Sequence, residues 1–65
     1  MNPEGYKEPQ GPFWVELYTG TPANYGWDLW AEVDEWEEAK REAEQVVAHK
    51  YEYRIKNVEG QEFKL

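Results

Sequence analysis

The apolar residues of this chain change period twice along its length, and that restricts what it can fold into more than any other feature. Phe13, Val15 and Leu17 alternate with Trp14, Glu16 and Tyr18 at the two-residue spacing of a strand. Further on, Trp36, Ala39, Ala43, Val46 and Val47 recur at spacings of three and four, the stripe of an amphipathic helix. Tyr51-Glu52-Tyr53-Arg54-Ile55-Lys56 then alternates again. Glu59-Gly60 signals a turn, after which Gln61–Leu65 can return as a short last strand. A chain with these periods is neither all helix nor all sheet.

Between the first strand and the helix lie two segments of different character. Residues 19–26 hold Thr19, Gly20, Pro22, Asn24 and Gly26, a density of turn formers that predicts a hairpin loop. Trp27–Val33 suits either the start of a long helix or a second strand. The strand is preferred, because Asp34 with Glu37 three residues later makes a capping box, and a helix already running from Trp27 would have no use for one. A regular strand here puts Trp27, Leu29, Ala31 and Val33 on one side and Asp28, Trp30 and Glu32 on the other. The helix is expected from Glu35 to about His49, with Glu37 and Arg41 as an i,i+4 pair and His49 and Lys50 near the negative end of its dipole.

The resulting expectation is an α+β fold, strand-strand-helix-strand-strand, with one helix packed on one face of a small antiparallel sheet. Residues 13–65 form the single domain. Residues 1–12 carry three of the four prolines and two of the five glycines, and read as a flexible arm. The expected core takes Phe13, Val15, Leu17, Trp27, Leu29, Ala31 and Val33, the helix stripe, and Tyr51, Tyr53, Ile55 and Phe63. One helix cannot cover two faces. The other side of the sheet is therefore expected to stand open, carrying Trp14, Glu16, Tyr18, Asp28, Trp30, Glu32, Glu52, Arg54, Lys56, Glu62 and Lys64.

Composition narrows the function. With 65 residues there is room for one small domain, and eleven aromatic residues supply the apolar area that a chain of mean hydropathy −1.05 otherwise lacks. Absence of cysteine and serine excludes thiol and serine nucleophiles, zinc knuckles and disulfides, and a single His49 cannot build a two-histidine metal site. No spacing places two carboxylates together in an enclosing pocket, so no catalytic residue, metal or cofactor is expected and the chain reads as a non-enzyme. No apolar run reaches the length of a membrane span, and the first residues lack the pattern of a signal peptide, which gives the cytoplasm as the expected address.

Two features point to binding. The first is the open face, where Trp14, Tyr18 and Trp30 beside Arg54 and Lys56 have the composition of an interface hot spot. A fold-back of the arm over these rings, or simple cross-strand pairing among them, would explain the same residues without a partner. The second is charge: Asp28–Glu44 holds eight acids against two bases, so it carries six of the seven net negative charges. An acidic surface of Asp34, Glu35, Glu37, Glu38 and Glu42 repels nucleic acid and attracts basic partners, although acids at a helix start also satisfy its dipole. The expected partner is a protein, with no direct nucleic-acid contact. A DNA mimic acting through the acidic helix and a homodimer closing the open face are the alternatives.

Several of these residues, taken together, resemble one family, the small RNA polymerase inhibitor or gene two protein of some coliphages. The resemblance runs from Phe13 to Lys56: Phe13-Trp14 opening the first strand, Ala31-Glu32 ending the second, a capped helix with Ala39 and Ala43-Glu44, then Tyr51-Glu52-Tyr53 leading into Arg54 and Lys56. It implies that Arg54 and Lys56 grip the jaw of the polymerase β′ subunit and that the acidic segment blocks the DNA channel, with the host cytoplasm as the place of action. The family carries a threonine cap and a second arginine where this chain has Asp34 and Lys56. The partial-RNase-H-like antitoxin domain, with two strands before a capped Glu-Glu-Ala helix, is a more distant likeness.

Overall fold

The structure, a computed structural model, describes residues 9–64; most of the expected arm, residues 1–8, lies outside them. Strand β1 (Phe13–Thr21) runs into a single 3₁₀ turn (Ala23–Tyr25) and returns as β2 (Gly26–Val33). Helix α1 (Trp36–Ala48) follows, then β3 (Tyr53–Asn57) and the two-residue β4 (Glu62–Phe63). The four strands form one antiparallel sheet in the order β2-β1-β3-β4, with α1 packed across one face, so the fold is α+β.

The core follows the alternation of β1. Phe13 and Val15 are fully buried, Leu17 nearly so, and they meet Ala39, Ala43 and Val46 of α1 and Ile55 of β3. Two alanines on the helix stripe remove bulk at the contact, which lets α1 lie close to the sheet. One end of the core is closed by three rings. Phe13, Trp36 and Phe63 stand 5.4–6.3 Å apart in tilted or edge-on pairs, the geometry that ring quadrupoles favour.

In β2 the regular alternation fails. Val15 pairs with Ala31, but Glu16 pairs with Leu29, so Trp30 is an extra residue opposite nothing in β1. Such a bulge shifts every residue before it to the other side of the sheet. Trp27 and Leu29, expected in the core, consequently share the open face with Tyr18 and Glu16, and Leu29 is among the exposed apolar residues. Trp30, expected on the open face, packs against the core from the helix side, and Asp28 is opposite Leu17 on that side too.

The helix ends also depart from expectation. Glu35, in extended backbone, occupies the N-cap position without a side-chain hydrogen bond. Asp34 therefore sits one residue too early for its carboxylate to reach the free amides of the first turn, and no capping box forms. Glu37 pairs with Lys40 at 2.9 Å instead of Arg41. Val47 and Tyr51, expected in the core, are exposed, Val47 in the last turn of α1 and Tyr51 in the segment between α1 and β3. The C-terminus closes with the Lys50 amide donating to Val47 O (2.8 Å) and the Tyr51 amide to Val46 O (3.2 Å), a Schellman arrangement.

Two further residues tie the chain ends to the domain. Buried Asn57 accepts from the Glu59 and Gln61 amides at 3.1 Å and donates to Gln61 Oε1 (3.0 Å) and Gln10 O (3.4 Å), so one side chain shapes the β3–β4 turn and holds the incoming segment. Gly11 lies so close to the Asp34 carbonyl that a Cβ would overlap it. Residues 9–12 are thus laid against the domain and are not a free arm.

Lys50 takes a left-handed backbone (φ 68°) at the position where helices prefer glycine. Lys50→Gly is expected to stabilise the fold by about 1 kcal/mol, a rise of roughly 4–8 °C in melting temperature for a domain of this size. Gly11→Ala should lower it. Thermal unfolding followed by circular dichroism measures both.

Candidate functional site

The uncovered face of the sheet is built from even-numbered residues of β1 and β3 and from the residues of β2 that the bulge turns outward. Read across the strands, Glu32, Trp14 and Lys56 form one row, and Leu29, Glu16 and Arg54 the next. Tyr18 and Trp27 pair beyond them. Of the expected cluster, Trp14, Tyr18, Arg54 and Lys56 are brought together here. Trp30 is not.

At the centre sits a polar pair enclosed by rings. The Arg54 Nε–H donates to Glu16 Oε1 at 2.5 Å, with both side chains about one-fifth exposed. Its Cζ lies 4.4 Å from the centre of the Trp27 ring, and Trp27 meets Tyr18 edge-on at 5.3 Å. A guanidinium on an indole face gains a cation–π attraction that grows as water is excluded, so Arg54 fixes the ring at the same time as it neutralises Glu16. Glu62 Oε1 lies 3.8 Å from Arg54 Nη1 at the edge. The planar head of Arg54 is therefore spent inside the molecule.

Lys56 differs. It is half-buried beside Trp14 and has no ion-pair partner among the described residues. Together with Trp14, Glu16 and the turn at Asn57–Gly60 it lines an open groove of about 510 Å³. Tyr18, Leu29 and Val58 are exposed on and beside this face, Tyr25, Val47 and Tyr51 are exposed as well, and all four tryptophans are half-buried, so Trp14, expected to stand open, is partly covered.

The acidic surface is divided. Asp34, Glu35 and Glu38 are exposed around the start of α1, and Glu37 is exposed but engaged with Lys40. Glu42 turns inward to accept the Trp30 indole N–H at 2.9 Å, and the Trp30 ring lies 5.5 Å from His49, which donates from Nδ1 to Gln45 O. Glu42 therefore serves the fold. Among the described residues no three His, Asp or Glu side chains gather as a metal site, and no helix is long and apolar enough to cross a membrane.

Reasoning from the sequence missed Trp27 and Leu29 as surface residues and Glu16 as the partner of Arg54. A signal for the last was present: Glu16 is the one charged residue of β1, and the alternating segment that pairs with it offers two cations, Arg54 and Lys56, on the same side. Removing Arg54 leaves Glu16 half-buried without its cation and Trp27 without its lid. Arg54→Ala should cost roughly 1–3 kcal/mol, and Arg54→Lys should recover part of it; urea unfolding of the three proteins decides.

No family model matches the chain, and no curated protein or solved structure matches it.

Proposed function

We propose that this protein is a protein-binding module that acts through the uncovered face of its sheet and inhibits a macromolecular machine, bacterial RNA polymerase being the target to which its resemblance points. The observation that carries the reading is the aromatic set Trp14, Tyr18 and Trp27 on a face that no element among the described residues covers, with Lys56 beside it. Rigid rings bury area at little cost in side-chain freedom, and the Arg54–Glu16 pair orders them before any partner arrives.

Roles follow from these positions. Trp14 and Tyr18 supply contact area, and Lys56 meets a carboxylate of the partner. Arg54, which the resemblance makes an anchor, works by holding Trp27. Trp30 contributes to stability and not to contact. Exposed Asp34, Glu35 and Glu38 lie on the helix side and would repel DNA from a path beside the docked protein. The action is occupation and repulsion, without turnover.

Binding to purified bacterial RNA polymerase, with transcription measured in parallel, tests the reading. The parent is expected to bind and inhibit. Lys56→Glu and Trp14→Ala should each weaken binding about tenfold or more, while Glu35→Lys with Glu38→Lys should keep most of the affinity and relieve inhibition. A parent that does not bind contradicts the target. Loss of binding on acid reversal alone, with steep salt dependence, would establish the DNA-mimic alternative instead.

A further inference from the structure

We infer that the uncovered face also pairs with the same face of a second copy of this chain, about a two-fold axis running along β1. The sheet register carries the inference, independently of the target proposed above. On this face Glu32, Trp14 and Lys56 stand side by side on β2, β1 and β3. A two-fold along the central strand exchanges the strands on either side of it. Glu32 of each copy then lies over Lys56 of the other, and Trp14 over Trp14. The row is self-complementary, as an isologous interface requires.

In the next row the same axis sets Glu16 over Glu16 and Leu29 over Arg54, a like-charge contact that the internal ion pair of each copy offsets. Glu16 and Arg54 neutralise one another within each copy, and Glu62, next to Lys56 on β4, turns toward Arg54. Lys56 is left for an outside carboxylate, and Glu32, exposed, has no ion-pair partner among the described residues. The chain's excess negative charge is no obstacle either. Glu32 is the one acid of Asp28–Glu44 that the register puts on this face: Asp28 is opposite Leu17 on the helix side, Asp34 and Glu35 lead into α1, and α1 itself carries four acids against two bases, while two sheets packed face to face about 10 Å apart place their helices on the outside. The acidic helices of the two copies are then separated by more than a Debye length, about 8–10 Å in ordinary buffers.

Size sets the strength. Three to four strands about 4.8 Å apart, each offering roughly five residues, give a face of roughly 300 Å² per copy. A stable complex buries about 800 Å² per partner, so the pairing is weak and reversible. Copies cover each other's rings at high concentration and release them to a tighter partner.

Sedimentation equilibrium of the full chain from about 10 µM to 1 mM tests the proposal. Monomer is expected at the lowest concentration and dimer at the highest. The two-fold repeats each Glu32–Lys56 pair, so Glu32→Lys or Lys56→Glu alone should raise Kd about tenfold or more, and the double exchange should restore it to within about threefold. Should either single exchange unfold the protein, as circular dichroism would reveal, Glu32→Gln and Lys56→Gln are expected to weaken association in the same order. A parent that stays monomeric at 1 mM overturns the inference. So do single variants that associate like the parent, or a double exchange as weak as the singles. Polymerase binding is read separately and is untouched by these outcomes.

Discussion

One extra residue in β2 decides what each side of this sheet is. Had Trp27–Val33 paired with β1 in strict alternation, Trp27 and Leu29 would lie under the helix and Trp30 would stand in solvent. The bulge at Trp30 reverses that assignment for the half of the strand nearest the hairpin while leaving Ala31 and Val33 in place. Two consequences are energetic. The Trp30 indole gains Glu42 as an acceptor and His49 as a neighbour, so its N–H is not buried without a partner. Trp27, moved outward, becomes available to Arg54 and Tyr18, and the open face acquires its ordered centre.

That centre ties stability to the proposed activity. Arg54 contacts Glu16 on β1 and Trp27 on β2, so a β3 residue clamps three strands from the uncovered side while Ile55 anchors the same strand from below. A partner arriving at such a face orders little, because the rings are already fixed. It also means that charge reversal at Arg54 would disturb the fold and the face together. Lys56 and Trp14, which form no ion pair among the described residues, are the residues through which binding is separable from folding.

The parts of the fold that the sequence announces are those set by local period. The odd residues of β1, the alanine stripe of α1 and Ile55 are legible because each is apolar against polar neighbours, and the α+β order follows from the sequence of periods. Where both neighbours are apolar or aromatic the period is silent. Trp27, Leu29 and Trp30 suit either side of a sheet, so only pairing with β1 settles their faces. The missed cap has a similar cause: Asp34 and Glu35 are both acids before a helix, and the backbone path from β2, constrained by the approach of Gly11 to the Asp34 carbonyl, selects Glu35. Asn57 gives no sign at all in the sequence, since its role depends on a turn and on an incoming segment 47 residues away. Of the candidate site, four of five side chains were legible from alternation, and the fifth, Trp30, was lost with the bulge.

The face assignment of the two tryptophans in β2 is the claim on which the rest depends, and proton–proton Overhauser contacts in solution measure it directly. The Trp30 ring is expected to show contacts to His49 and the Glu42 side chain, and the Trp27 ring to Tyr18 and the Arg54 methylenes. Contacts from Trp30 to Tyr18 or Arg54, with Trp27 instead touching Ala43 or Val46, would mean a strand without the bulge and an open face of different composition.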